Sequence, residues 1–378
     1  MNDDVVVTDP FKEKLCEFES EGRLRRIPEE KGAGLLDFCS NDYLGLGRGC
    51  DNQISNSSAA TSSASRLLSS VQKDYIALEQ RLGELYGKDV LLFNSGYHAN
   101  VGTVSALALP GVLLVADKLV HASIIDGLVL SRSKFLRFRH NDMAHLDKIL
   151  SESHDRFSRI VVITESIFSM DGDVAPLAEL ASLKKRYPRM MLYLDEAHAF
   201  GARGRQGLGI AEEKNLIGDV DLLIGTFGKA AASAGAFVAT SSTMKEYLIN
   251  TARSFIFSTA LPPANCAYTL RQINRIVEMG RQRNNLSTLS ESLRGGIEQI
   301  TGVSGVSSSH IVPLMVGDAR KAVVLSLKLR EAGFLVLPIR RPTVPAGTER
   351  LRFSVCADMT QRDIDMLLGT IAKVINEI

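Results

Sequence analysis

The chain has 378 residues, of which 45% are hydrophobic and 23% are charged. On a prior of about 150 residues per domain, this length predicts two or three structural units with the composition of a globular protein. The 44 basic and 43 acidic residues leave a net charge of +1, so the charge gives no indication of nucleic acid or a membrane surface as a partner.

The cysteines and the first residues bear on the compartment. The five cysteines are odd in number and scattered, with no C-x-x-C spacing, which argues against zinc or disulfide redox chemistry. The segment that begins with Met1 lacks the basic start and apolar stretch of a signal peptide. No apolar run approaches the roughly 20 residues that a bilayer span needs. We therefore expect a cytoplasmic protein without a bound metal.

The first 45 residues are predicted to form an N-terminal arm. Residues 11–26 show helical spacing of apolar positions, and a looser piece containing Pro28 follows;. Between residues 45 and 70 the composition shifts to Ser, Asn, Ala and Gly, which predicts a loop-rich region.

Helices and apolar strands alternate from Tyr75 onward. Helices are predicted at 76–86, after Gly96 and at 177–186, and strands at 90–93, 112–116, 135–138, 160–164, 190–194 and 222–224. Such alternation is typical of an α/β domain with a mainly parallel sheet. We place this large domain at residues 46–282.

The last third of the chain has a different pattern. A long helical segment is predicted from about residue 263 to residue 283, and short strands at 312–316, 334–337 and 351–355 alternate with helices. This pattern predicts a smaller α+β domain at residues 283–378.

Two polar motifs follow apolar strands within the large domain. The strand at 190–194 leads to Asp195 and His198, and the strand at 222–224 leads to Thr226 and Lys229. Ligands of open parallel sheets bind beyond the carboxyl ends of the strands, so these side chains can converge. A lysine that forms a Schiff base and a carboxylate facing a pyridine nitrogen are what pyridoxal 5'-phosphate (PLP) requires. The pair of motifs therefore predicts a PLP site.

Two other interpretations compete with this one. An Asp or a Lys at a strand end is commonly a solvated loop residue, and either one alone would favour that interpretation. A phosphate-binding P-loop needs a glycine five positions before its Gly-Lys pair and a hydroxyl after it. Leu223 and Ala230 occupy those positions, which excludes the P-loop.

Further candidates lie at other strand ends. Gly96 and Tyr97 begin a helix whose free amides could hold a phosphate, although the same pattern occurs at plain strand-to-helix turns. His121 could stack on the pyridine ring, or it could be an ordinary surface histidine. Glu165 or Ser169 could reach the site from the strand at 160–164 and the turn that follows it.

Arginines concentrate near the C-terminus, at positions 340, 341, 350 and 352 around Thr343. Guanidinium groups are suited to bidentate capture of a carboxylate. A solvated basic loop is the alternative for most of them.

The order and spacing of these motifs resemble the α-oxoamine synthases, PLP enzymes of fold type I. The resemblance covers nearly the whole chain and rests on residues 40–46 (SNDYLGL), 65–69 (SRLLS), 95–97 (SGY), 121–123 (HAS), 168–173 (FSMDGD), 195–198 (DEAH), 226–229 (TFGK) and 342–348 (PTVPAGT). It implies a large domain with a mainly parallel seven-stranded sheet flanked by helices, the small C-terminal domain and the arm.

The resemblance also implies a role for each site residue. Lys229 would bind PLP covalently, Asp195 would pair with the pyridine nitrogen, His198 would bond the phenolic oxygen and His121 would stack on the ring. Ser169 would lie near the phenolic oxygen, while Thr226, the amides of Gly96 and Tyr97, and Thr259 across a dimer interface would hold the phosphate. Arg352 would grip the amino-acid carboxylate and Asn41 would lie at the reacting centre, with Arg25 and Thr343 as further substrate-binding residues.

By the same resemblance, the reaction would join L-alanine to an acyl thioester, pimeloyl-CoA or a pimeloyl carrier protein, with loss of carbon dioxide. The partners would be these small molecules, a second subunit and an acyl carrier protein. The chain departs from the family at residues 61–64 (TSSA), where a glycine-rich run is usual, and at Ala199, Ala230 and Arg341. A sister synthase with another amino acid or acyl group, or a binding protein that has lost turnover, remains an alternative.

Overall fold

The computed structural model describes residues 9–25, 34–48, 58–70 and 72–377 of the chain. The end of the predicted arm helix at residue 26, and the part of the predicted loop region at 49–57, lie outside these residues. Within them, helix α1 spans Pro10–Ser20. It begins with Asp9, whose carboxylate accepts the amide of Phe11 at 2.9 Å, and with a proline in its first turn;.

The central sheet has seven strands, as predicted. A short strand, β1 (Leu36–Asp37), comes first in the chain and is not part of this sheet. The seven strands of the sheet are β2 (Asp89–Phe93), β3 (Val112–Asp117), β4 (Phe135–Phe138), β5 (Arg159–Glu165), β6 (Met190–Asp195), β7 (Leu222–Thr226) and β8 (Ala236–Thr240). Their spatial order is β2-β8-β7-β6-β5-β3-β4. All neighbouring pairs are parallel except those made by β8, which runs antiparallel to both β2 and β7.

Except for the edge strand β4, which is partly exposed and contains Arg137, the strands are largely apolar because both faces of the sheet are buried. Along β5, Ile160 and Val162 pack into one core cluster, while Val161 and Ile163 pack into the other. The alternation places each face against its own layer of helices. Those helices are α2 (Lys73–Tyr86), α3 (Gly96–Ala106), α4 (Ala122–Leu130), α5 (Met143–Ser153), α6 (Leu177–Arg186), α7 (Ile210–Glu213), α8 (Ser242–Thr251), α9 (Arg253–Ile256) and α10 (Pro263–Glu278).

The long helix predicted from 263 to 283 is two helices. The second, α11, spans Gly280–Thr301. The helical conformation is interrupted at Met279, whose φ and ψ are −84° and 37°. Arg283 stabilises the break, because its guanidinium donates to the carbonyl of Ile276 at 2.6 Å. The helix α11 begins close to the domain boundary predicted at residues 282 and 283, and the domain limits stay a prediction.

The C-terminal part is an α+β unit. A three-stranded antiparallel sheet has the order β11-β12-β9, and β10 pairs in parallel with β1 of the N-terminal segment. The elements are β9 (Ile311–Met315), α12 (Ala319–Glu331), β10 (Phe334–Leu335), β11 (Pro338–Ile339), β12 (Arg350–Ser354) and α13 (Gln361–Val374). Among the helices that the structure describes, none combines the length and apolar character that crossing a bilayer requires.

Candidate active site

Polar residues end the central strands at one edge of the sheet. Glu165 closes β5 beside Asp195, which closes β6, and Thr226 closes β7. Asp195 lies in register with Ile224 of β7, so the loops after β6 and β7 begin side by side. His198 and Lys229 each lie three residues beyond their strand. The convergence expected from the sequence is therefore present in the backbone topology.

The amine of Lys229 lies in the centre of this group. Its Nζ is 2.9 Å from Nε2 of His198. Burial lowers the pKa of Lys229 to about 8, although the nearby carboxylates of Asp195 and Glu165 oppose the shift. An amine with a pKa in this range has a substantial neutral, nucleophilic fraction near neutral pH.

His198 is buried and connects Lys229 to a tyrosine. Its Nδ1 lies 2.7 Å from Oη of Tyr43, and the Tyr43 hydroxyl also lies 2.9 Å from Oδ1 of Asn41. Burial, reinforced by the positive charge of Lys229, holds the pKa of His198 well below its usual range, so its imidazole is neutral. Tyr43 was not a candidate from the sequence, although it lies in the SNDYLGL motif.

Asp195 is held by hydrogen bonds at both carboxylate oxygens. Oδ2 accepts from Nδ2 of Asn100 at 2.8 Å, and Oδ1 accepts from the amide of Ala197 at 2.9 Å. The hydroxyl of Tyr193 donates to Oδ1 of Asn100 at 2.6 Å and fixes the orientation of that amide. Asn100 was also missed, and its signal is its place on α3, one turn after Gly96 on the same helix face.

His121 is the N-cap of α4 and contacts Glu165 and Ser123. Its backbone amide donates to Oε1 of Glu165 at 2.5 Å, and its Nδ1 lies 2.7 Å from Oγ of Ser123. Ser123 Oγ in turn accepts from Nδ2 of Asn100 at 2.9 Å. Asn100 therefore ties the His121 side of the group to Asp195. Burial, together with the neighbouring Asp195 charge, raises the pKa of Glu165 well above its usual value.

A candidate anion-binding site lies at the start of α3. The first amides of this helix have no intrahelical acceptor, and Gly96 faces Thr226, where an added Cβ would lie 3.6 Å from the threonine Cβ. Thr226 Oγ1 accepts from the amide of Gly228 at 3.3 Å. The neighbouring Tyr97 has an exposed ring, and the carbonyl of Thr259 accepts from Nδ2 of Asn94 at 2.6 Å.

Arg352 of β12 carries the second cation of the region. Its Nε donates to the carbonyl of Ser169 at 2.5 Å, and Nη1 and Nη2 each lie 3.3 Å from Oδ1 of Asn41. Ser354 Oγ accepts from Nη1 at 2.9 Å. Arg352 thus joins Asn41 and Ser169, two residues that the sequence placed at the site.

The remaining predicted pair forms a separate contact. Arg25 Nη2 donates to Oγ1 of Thr343 at 2.8 Å, although the two residues are far apart in sequence. This bond joins the N-terminal segment to the loop after β11, and no assignment beyond the prediction follows from it.

A charged histidine fixes the turn that carries Ser169. His140 Nδ1 lies 2.9 Å from Oδ1 of Asp117, and its Nε2 lies 2.8 Å from Oδ2 of Asp173. Its ring meets Phe168 edge-on, with centroids 4.4 Å apart. Burial alone would lower the pKa of His140, but hydrogen bonds and charges of the two aspartates outweigh it and raise the pKa to about 10.

Replacing this histidine by His140→Gln should destabilise the protein in a pH-dependent way. We expect a loss of about 1–3 kcal/mol at neutral pH, because the substitution removes the cation between two carboxylates. The raised pKa means that the stabilisation is full below pH 6.5 and disappears as the pH rises through about 10;. Urea unfolding of both proteins across this window measures the difference. A difference in unfolding free energy that stays constant would contradict the charged state of His140.

The arrangement fits the cofactor predicted from the sequence. A nucleophilic amine, a buried carboxylate, a neutral imidazole donor and a helix N-terminus lie at one sheet edge, and these match the aldehyde, ring nitrogen, phenolic oxygen and phosphate of PLP. Asp195 is itself 5% exposed and is bonded by uncharged donors. Its negative charge is therefore available to a cationic ring nitrogen.

Comparisons with known proteins show the family to which the chain belongs. Residues 33–371 match the model of the aminotransferase class I and II family. An 8-amino-7-oxononanoate synthase of Haemophilus ducreyi is 44% identical over 382 residues, which cover 95% of this chain and 99% of that protein.

Two solved structures share the fold. A serine palmitoyltransferase of S. paucimobilis with a bound PLP-myriocin aldimine is 28% identical and has a TM-score of 0.86, covering 98% of each chain. An 8-amino-7-oxononanoate synthase of Francisella tularensis is also 28% identical, with a TM-score of 0.77 over 92% of this chain and 99% of that chain. The chain therefore belongs to the aminotransferase class I and II family and, within it, to the α-oxoamine synthases.

Proposed function

We propose that this enzyme is an 8-amino-7-oxononanoate synthase of biotin biosynthesis. It would use PLP to condense L-alanine with pimeloyl-CoA, or with a pimeloyl carrier protein, and would release 8-amino-7-oxononanoate, carbon dioxide and a free thiol. The observation that carries the proposal is the 44% identity, over nearly the full length of both chains, to a protein of that name.

PLP would lie between the strand ends and α3. Bound PLP supplies a cationic ring that accepts the electron pair left at the amino-acid α-carbon. Asp195 would keep the ring nitrogen protonated, His198 would donate to the phenolic oxygen, with Ser169 close by, and His121 would cover one ring face. The phosphate would take the amides of Gly96 and Tyr97, the hydroxyl of Thr226, and Thr259 of a second subunit.

Lys229 has two functions in this proposal. Its amine would hold the cofactor covalently and, when free of it, would take the α-proton of the bound amino acid. The pKa of about 8 suits both functions, because the group exchanges a proton readily near neutral pH. Nζ of Lys229 lies 2.9 Å from Nε2 of His198, so the two proposed cofactor-binding groups are adjacent.

Arg352 and Asn41 would bind the amino-acid substrate. The guanidinium of Arg352 would pair with the α-carboxylate, and Asn41 would lie at the reacting centre. Arg25 and Thr343 would contact the acyl thioester. The enzyme would act as a cytoplasmic homodimer, and the acyl group would arrive on coenzyme A or a carrier protein.

A sister synthase is the second candidate. The specific observation in its favour is the serine palmitoyltransferase structure, which has a TM-score of 0.86 but only 28% identity. The cofactor residues do not separate the two, because sister enzymes would use the same electron sink. Substrate choice therefore has to be measured.

Thiol release separates these candidates. The purified protein loaded with PLP is assayed with pimeloyl-CoA and L-alanine, with acetyl-CoA and glycine, and with palmitoyl-CoA and L-serine. We expect the first pair to react faster than the others by about 10²-fold or more, because both substrate sites must match. Faster release from either other pair would replace the proposal with the corresponding sister synthase.

A further inference from the structure

The hydroxyl of Tyr43 has two possible acceptors and one proton. It lies 2.9 Å from Oδ1 of Asn41 and 2.7 Å from Nδ1 of His198. Burial raises the pKa of Tyr43 to about 12, so the hydroxyl stays protonated at neutral pH. The hydroxyl carries one proton, so it can donate to only one of the two atoms at a time. Rotation about its C–O bond determines which atom receives the hydrogen bond.

The ring of Tyr43 is held in place while its hydroxyl is free to turn. The side chain is fully buried, and the ring of His310 packs against it with centroids 4.0 Å apart. The backbone carbonyl of Tyr43 accepts from the amide of Ala357 at 2.8 Å. The position of the oxygen is therefore fixed, and the direction of its proton is the remaining variable.

That direction is linked to the tautomer of His198. The neutral ring carries one proton, on Nδ1 or on Nε2. The hydrogen-bond partner of one nitrogen determines whether the other nitrogen is protonated. When charged Lys229 donates to Nε2, across 2.9 Å, Nδ1 carries the proton and donates to Tyr43, whose own proton then points to Asn41. When an acceptor faces Nε2, that nitrogen carries the proton and Nδ1 accepts from Tyr43.

We propose that Tyr43 is a positioning residue whose hydroxyl turns between Asn41 and His198. It donates to Nδ1 of His198 when Nε2 carries the ring proton and accepts from Nδ1 when Nε2 is itself an acceptor, so it stabilises whichever tautomer the group facing Nε2 requires. The inference rests on the proposed function in one respect, because the acceptor at Nε2 would be the phenolic oxygen of PLP. The ring and the hydroxyl carry the same number of protons in both arrangements. Exchange with solvent as the cofactor enters the site would remove the proton from Nδ1 and add one at Nε2.

The direction of the Tyr43 hydroxyl also affects Asn41 and Arg352, the proposed substrate-binding residues. Asn41 Oδ1 also lies 3.3 Å from both terminal nitrogens of Arg352. When Tyr43 turns to His198, Asn41 loses the tyrosine proton and accepts from Arg352 and, at 3.5 Å, from the hydroxyl of Ser354. Cofactor binding at His198 would thereby strengthen the hold of Asn41 on the guanidinium.

The proposal is tested by NMR spectra of the ring nitrogens in protein that carries isotope-labelled histidine. The variant His198→Gln identifies which signals belong to His198. In the wild-type protein at pH 7 we expect His198 protonated at Nδ1 without PLP and at Nε2 after PLP is added. In Tyr43→Phe without PLP, the ring should lose its single tautomer and become a mixture, since a buried Nδ1–H would have no acceptor. A wild-type ring with the same tautomer in both states, or an unchanged ring in Tyr43→Phe, would overturn the proposal.

A binding measurement gives an independent readout. We expect Tyr43→Phe to raise the PLP dissociation constant by about 10-fold, the effect of one hydrogen bond. The matched control is Tyr86→Phe, which removes a buried hydroxyl that donates to the carbonyl of Leu208 at 2.9 Å, and its dissociation constant should match wild type. Equal affinities of Tyr43→Phe and wild type would contradict the role. Failure of the wild-type protein to bind PLP would instead reject the proposed function, and the cofactor-free spectra would still decide the role of Tyr43.

Discussion

Lys229→Ala should abolish turnover while leaving the fold intact. We expect thiol release to fall by about 10⁴-fold or more, because the substitution removes both the covalent anchor of the cofactor and the proposed base. The visible absorbance of protein-bound PLP should shift to that of the free aldehyde. The measurement is thiol release under saturating PLP and substrates, combined with an absorbance spectrum of the dialysed protein.

The matched control is Lys148→Ala, which removes an exposed lysine of α5 whose side chain is 72% exposed. This variant should keep wild-type activity and absorbance. Activity of Lys229→Ala within 10-fold of wild type, at equal PLP content, would mean that another group performs the chemistry assigned to Lys229.

Asp195→Asn should cause the second-largest loss. We expect kcat to fall by about 10²–10³-fold, the effect of removing one preorganised charge from an active site. Both oxygens of Asp195 accept hydrogen bonds, from Asn100 at 2.8 Å and from the amide of Ala197 at 2.9 Å. An amide NH2 at this position would face a donor in either orientation. Steady-state kinetics, with PLP content measured separately, check the expectation.

Asp89→Asn controls for the loss of a carboxylate. Asp89 is exposed at the first residue of β2, at the opposite edge of the sheet from Asp195. It should leave kcat unchanged. If Asp195→Asn binds PLP and keeps more than half of wild-type kcat, the pairing of Asp195 with the ring nitrogen is wrong.

Most strands of the central sheet were predictable because they are buried on both faces, and only the edge strand β4 is partly exposed. Continuous apolar runs such as the one ending at Asp195 have a length and composition that favour strands over helices. The observed bounds of β4, Phe135–Phe138, are those predicted, and β6 extends its prediction by one residue, to Asp195. Parallel topology then placed Asp195, Thr226 and the residues after them at one edge.

The hydrogen-bond partners within the site were not predictable in the same way. Tyr43 and His198 are 155 residues apart in sequence, and Asn100 and Asp195 are 95 apart. No periodicity connects such pairs, and their contact depends on how N-terminal residues and α3 pack against the sheet. The break between α10 and α11 was missed for a similar reason, since the guanidinium of Arg283 that stabilises it is also held by the carbonyl of Arg205, 78 residues away in sequence.

Reduction of the PLP-loaded protein with borohydride, followed by peptide mass spectrometry, tests the account most directly. Borohydride converts a lysine-bound cofactor into a stable secondary amine, so the modified peptide identifies the lysine. We predict a single modified peptide containing Lys229. Modification of a different lysine, or of none after loading with PLP, would contradict the site.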